Sequence, residues 1–259
     1  MGRAGRSARK GLFKRWTTRR RRRLRRGGTP IDAPAPSPGL QLLEPRLLLS
    51  AITVDTLNDD IAADGVVSLR EAIEAANTNA AVNEAPAGSA GNDEITFDAS
   101  LAGGTISLGA ALPTITEALT IDGDAADGLT IDAGDAARLF NVDDGNVAEI
   151  TVSISNLLLT NGASTGDGGA VRNVEDLTQL AVEVSGSGAD GDGGGIYNAG
   201  TLTVRNATIA GNSAGGQGGG VFNAAGQTLE LLKSTVSGNT ADGDGGGVAN
   251  PDATGAVTI

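Results

Sequence analysis

Cysteine and histidine are both absent, and aromatic side chains make up 2% of the 259 residues. There is therefore no thiol nucleophile, no disulfide staple, no imidazole base, and no thiolate or imidazole ligand for a transition metal. The missing cysteine leaves the compartment open. With so few rings and 40 glycines, a thick aromatic core is excluded. Basic charge is scarce over most of the chain. Thirteen of the 19 Lys and Arg residues lie between Arg3 and Arg26; beyond Arg46 only Arg70, Arg138, Arg172, Arg205 and Lys233 face 29 acidic residues, a formal charge of −24. Such a body repels phosphate, which excludes nucleic acid as its partner. Long apolar runs are missing too: LQLLEPRLLLSA (40–51) is short and interrupted, so no transmembrane helix is expected.

What is present is a repeat. GGGIYN (193–198), GGGVFN (218–223) and GGGVAN (245–250) repeat one motif, with GGAVRN (168–173) a weaker earlier copy. The closing asparagines Asn173, Asn198, Asn223 and Asn250 are spaced by 25, 25 and 27 residues, a period typical of solenoids. Between them, TLTVRNATIAGNSA (201–214) aligns with TLELLKSTVSGNTA (228–241), short β-type runs separated by Gly and Asn. One such unit cannot bury its own apolar face, but stacked units pair each strand in parallel with its equivalent about 4.8 Å along the axis. The fold expected is all-β, a right-handed parallel β-helix. Its inward ladders take Ile196, Val221 and Val248, then Leu202 with Leu229, then Ile209 with Val236. The asparagines form an internal structural ladder that bonds to its own members and to turn backbone.

Three domains follow. Residues 1–50 are a basic, Pro-rich export leader, 51–93 an N-terminal cap, and 94–259 the β-helix, whose closing GAVTI stands in mid-period as expected of a fragment. In the cap, Ser68 and Glu71 make an S-x-x-E capping box, and Leu69, Ala72, Ile73 and Ala76 form one apolar stripe on a short helix. Such a cap protects the open end of a solenoid.

Two of these segments resemble known families. LEPRLLLSA (43–51) resembles the LEPR-XLL segment of large bacterial surface and secreted proteins, which implies export to the cell surface or the extracellular space. SLREAIEAANTN (68–79), within 52–79, resembles the CSLREA domain that precedes β-helix repeats in bacterial surface proteins, with Val67 in place of that family's cysteine. The GGAV and GGGI-x-N units are also similar to the repeats of polymorphic outer-membrane proteins, which implies a surface-displayed, outer-membrane-associated passenger.

Candidate chemistry is confined to carboxylates and a few cations. Counting back from each GG, Asp167, Asp192, Gln217 and Asp244 share one ladder, with Asp190 and Asp242 two residues earlier. Stacked carboxylates about 5 Å apart repel unless screened, so Asp167, Asp190, Asp192, Asp242 and Asp244 are candidate calcium ligands; the same Asp-Gly pairs also read as tight surface turns. No cofactor is required. The row Arg172, Tyr197 and Phe222 is expected to be exposed and offers charge and stacking to a saccharide; it equally reads as an outward ladder that stiffens the stack. The leading functional expectation is a structural, adhesive or display role at the cell surface, with an extracellular polysaccharide or another surface protein as partner. The alternative is a polysaccharide lyase or hydrolase on the same scaffold, with activity placed where Arg172 approaches Asp167 and Asp192.

Overall fold

The computed structural model describes residues 50–251 and 254–259, so the basic leader and nearly all of the LEPRLLLSA segment lie outside the described residues. What it describes is a parallel β-solenoid with one short α-helix. Each settled turn contributes four strands, as in Asp176–Leu180, Glu183–Ser185, Gly188–Ala189 and Ile196–Asn198, after which Thr201–Arg205 returns to the first face one layer on. These build parallel sheets of eight, six, four and five strands, stacked in sequence order.

Register follows the alternation of the sequence. In Asp176–Leu180, Leu177 and Gln179 point inward and Asp176, Thr178 and Leu180 outward. Leu177 pairs with Leu202 and that with Leu229, while Val171, Ile196, Val221 and Val248 stack on the five-stranded face. Ile209 pairs with Val236. The core is a column of aliphatic rows.

Corners join the faces by left-handed backbone. Between the first and second strands of successive turns, Asn156, Ala181, Asn206 and Lys233 take φ values of 57°, 52°, 51° and 52°. Asn and Gly adopt that region readily, whereas Ala and Lys pay a steric penalty there. In the GGG motif the constraint is space: a Cβ on Gly219 would lie 2.0 Å from the Thr240 carbonyl oxygen, and one on Gly194 would lie 2.2 Å from that of Ser213.

At the N-terminal end, Ala51–Val54 is the outermost strand of the eight-stranded sheet and pairs with Asp93–Phe97. The helix Leu69–Thr78 packs over it, burying Leu69, Ala72, Ile73, Ala75 and Ala76. The Glu71 N–H donates to Ser68 Oγ at 3.2 Å, and the Ser68 N–H donates to Glu71 Oε2 at 3.0 Å, which completes the capping box. Glu71 is buried; its other carboxylate oxygen accepts from the Ala62 N–H and Asn83 Nδ2. Arg70 forks onto Asp59 at 3.0 and 2.7 Å and donates to the Ala110 and Ala111 carbonyls, tying the helix to the first full turn. Val67 is buried and exchanges backbone and side-chain hydrogen bonds with Asp55, so an apolar side chain suffices at this position.

The first two turns are shorter than the settled ones; Ile115, the register partner of Val142, already follows Ile106 by only nine positions. Phe140 follows Ile131 by nine positions, whereas the equivalent pairs Leu159 and Val171, Val184 and Ile196, and Ile209 and Val221 are each separated by twelve. The four-stranded sheet accordingly begins one turn later, at Ala163–Ser164. This leaves a step in the solenoid wall.

Candidate functional site

The step opens a groove. Its lining takes Ala111, then Asp135 and Arg138, then Ser164, Thr165 and Gly166, then Asp190, then Ser213, from five successive turns, and its volume is about 710 Å³. Four layer spacings of about 4.8 Å make it roughly 19 Å long, parallel to the solenoid axis and across the strands. Apart from Asp135, Arg138 and Asp190, the walls are hydroxyls, backbone and small side chains.

Arg138 stands where the missing strand would have been. Its Nε donates to the Gly168 carbonyl at 2.8 Å, and its Nη2 donates to the Asp167 carbonyl and to Ser164 Oγ, both at 2.7 Å. In later turns the backbone of this corner is satisfied by the neighbouring layer, as where the Gly193 N–H donates to the Gln217 carbonyl. Here the guanidinium caps the edge instead. Burial and the nearby Arg172 guanidinium lower the pKa of Arg138, and Asp167 opposes them.

The expected carboxylate ladder forms, and its oxygens have work. Asp167 Oδ1 accepts from the Asp192 N–H at 2.9 Å, and Asp192 Oδ1 accepts from the Gln217 N–H at 2.7 Å. Each carboxylate thus ties its turn to the next, a repeat of 25 residues that the sequence alignment places correctly but does not explain. Gln217 can occupy the ladder because the position is held from its backbone. Asp190, Asp242 and Asp244 are exposed on the same corner. Among the described residues, no group of three or more carboxylates converges as a metal site.

Arg172, Tyr197 and Phe222 do stack in register on the outward face of the five-stranded sheet. The two rings are 5.4 Å apart and within 9° of parallel. Burial and the Asp167 charge raise the Tyr197 pKa. The expectation that all three are exposed is corrected: Arg172 and Tyr197 are half-buried, and Phe222 is 7% exposed. The Tyr197 ring covers it on one side, and Ala249 of the last turn takes the register position on the other. Arg172 does not bond to Asp167 or Asp192. Its Nη1 donates instead to Asp143 Oδ2 at 2.9 Å and Asn141 Oδ1 at 3.2 Å, back toward the preceding turn.

Asn173, Asn198, Asn223 and Asn250 are joined head to tail inside the wall. Each Nδ2 donates to the next Oδ1, at 2.8, 2.7 and 2.9 Å, and also to a carbonyl two or four residues on in its own turn. A second ladder escaped the sequence reading. Asn212 Nδ2 donates to Asn239 Oδ1 at 3.0 Å and to the Val184 carbonyl, while Asn239 Nδ2 donates to the Ile209 carbonyl. Ser187 takes the equivalent position one turn earlier and accepts from the Gly162 N–H. The signal was present as G-N-S and G-N-T at 27-residue spacing.

No known protein family, no curated protein and no solved structure matches this chain. No described helix is long and apolar enough to cross a membrane.

Proposed function

We propose that this is an exported cell-surface or extracellular β-helix protein with a structural, adhesive or display role, whose wall groove contacts a polysaccharide chain. One observation carries this reading over the enzymatic alternative. The groups expected to do acid and base chemistry are occupied in holding turns together: Asp167 and Asp192 accept backbone N–H groups, and Arg172 is paired with Asp143. A general base must reach its substrate proton, and one oxygen of each of these carboxylates is held by the next layer. The groove supports the contact surface, because its axis lets an extended polymer meet equivalent small and hydroxylated side chains in successive turns. Export rests on the LEPRLLLSA segment and the resemblance of 52–79 to a surface-protein cap.

The test follows the full chain, carrying a C-terminal epitope, in the cell that makes it, with surface protease shaving of intact cells and assay of the medium. Release of the epitope by protease, or its appearance in the medium, is expected; an epitope protected until lysis overturns the export reading. Acidic polysaccharides incubated with the purified protein are expected to stay intact. New reducing ends or unsaturated product absorbance would favour the enzymatic alternative.

A further inference from the structure

Arg138 lines the groove without a carboxylate in direct contact, although the Asp167 charge acts on it from beyond ion-pair distance. Among the described residues, Arg70, Arg172 and Arg205 each have a carboxylate oxygen within the ion-pair limit, at 2.7, 2.9 and 3.6 Å. Arg138 has none. All three of its hydrogen bonds go to neutral acceptors, two carbonyls and a hydroxyl, and they engage Nε and Nη2 only. Among the described residues Nη1 has no hydrogen-bond partner. The guanidinium is therefore fixed by its edge-capping bonds, part-buried, and at the groove wall with one donor nitrogen free.

We infer that Arg138 is an anion-recognition point that takes a single carboxylate carried on an otherwise neutral glycan chain. The inference rests on the groove being a glycan contact and adds the chemistry of what it selects. A pre-held guanidinium loses little side-chain entropy on binding, and a charge-assisted hydrogen bond in a part-buried site is stronger than a neutral one. The number of charges on the ligand is limited by the rest of the molecule. Asp135 and Asp190 line the same groove, and the body carries a formal −24, so a ligand with a carboxylate on every sugar would set most of its charges against carboxylates. One carboxylate at Arg138, with neutral sugars along the hydroxyl and backbone walls on either side, satisfies both constraints.

Calorimetric titration of the full chain with matched hexasaccharide pairs on xylan, mannan and glucan backbones, each neutral or bearing one glucuronate, tests this, with hexagalacturonate as the polyanion and a hexaglutamate peptide as the protein-like acid. At least one backbone is expected to bind about tenfold tighter with the single glucuronate than without, as one charge-assisted contact provides. Arg138→Gln should bring the two members of that pair to equal affinity, and Arg138→Lys should restore part of the preference. Circular dichroism and melting temperature report whether either variant has lost the edge cap, and equality within a pair does not depend on that loss. Equal binding of the pair by the unmodified protein, or a preference that survives Arg138→Gln, overturns the assignment while leaving glycan binding in place. Tightest binding of hexagalacturonate or of the peptide overturns it as well. Failure of every saccharide to bind removes the underlying contact reading along with it.

Discussion

Replacing Gln179 should make this protein more stable. The inward row of the eight-stranded sheet reads Ile52, Ile95, Ile121, Ile154, Gln179, Val204 and Leu231, one amide in a column of aliphatic side chains. Gln179 is 0% exposed, and neither Nε2 nor Oε1 has a hydrogen-bond partner. Mutational data put the cost of a stranded buried polar group at about 1–3 kcal/mol. Gln179→Leu removes both orphaned atoms at similar volume and adds apolar contact with Ile154 and Val204; some misfit of the branched side chain offsets this. A net gain of about 2 kcal/mol is expected. For a chain of this size that corresponds to a rise of about 4–8 °C in melting temperature. Scanning calorimetry reads the midpoint, and because repeat proteins can unfold in parts, hydrogen exchange at Thr178 and Leu180 reads the local effect. Exchange there should slow. If Gln179→Leu and the unbranched Gln179→Met both lower the midpoint, the amide is satisfied in solution, and the reasoning from orphaned atoms fails.

Four further outcomes follow from the corners and ladders. Ala181→Gly and Lys233→Asn each relieve a left-handed corner and should raise the urea midpoint by the equivalent of about 1 kcal/mol; a loss at both would mean that the corners rearrange in solution. Asn198→Ala takes one of three acceptors from Asn173 Nδ2, removes the acceptor of the Gly200 N–H, and leaves Asn223 Oδ1 and the Gly200 and Thr228 carbonyls short of a donor, so a loss of about 2–4 kcal/mol is expected by denaturant titration, against less than about 0.5 kcal/mol for an exposed control such as Thr165→Ala. Gly219→Ala forces a Cβ onto the Thr240 carbonyl and should reduce folded yield sharply, a result visible by circular dichroism of the soluble fraction. Burial raises the Glu175 pKa despite N–H groups donated by Asp144 and Ile150. Between its ordinary and its folded value the native chain then holds more proton than the unfolded one, so this carboxyl's contribution to stability rises as pH falls through that window, and Glu175→Gln should flatten the rise.

The sequence made the ladders legible and left the exceptions hidden, for a physical reason. A solenoid repeats its backbone hydrogen bonds, so a residue that serves the stack recurs at the period and is found by alignment, as Asn173, Asn198, Asn223 and Asn250 were. The capping box was legible because its logic is local to Ser68 and Glu71. Alternation alone also puts Gln179 on the same side as Leu177, yet polarity argues for the outside, and only the register with Ile154 and Val204 decides the matter. Phe222 went wrong for the converse reason: outward on a strand does not mean exposed when the neighbouring turn supplies a ring to cover it.

Arg138 could not have been found by periodicity, and that bears on where function resides in such a molecule. It lies in a turn three residues shorter than the settled ones, before the motif settles, so there is no copy to align it with. A periodic position is under the demands of its neighbours above and below; Asp167 and Asp192 illustrate how a carboxylate that looks available in the sequence is engaged by the next layer. A position at a break in the period has no equivalent in the layers above and below; Arg138 bonds to the next turn through Nε and Nη2 and retains Nη1 for something outside the fold. Shortening the turn does two things at once: it opens the groove along the axis, and it exposes the Asp167 and Gly168 carbonyls that then hold the guanidinium in place. It follows that lengthening 133–138 by the three residues of a regular turn should fill the groove, pair those carbonyls by backbone, and abolish glycan binding without loss of stability. Retained affinity in such an insertion variant would move the contact surface away from the step and onto another face.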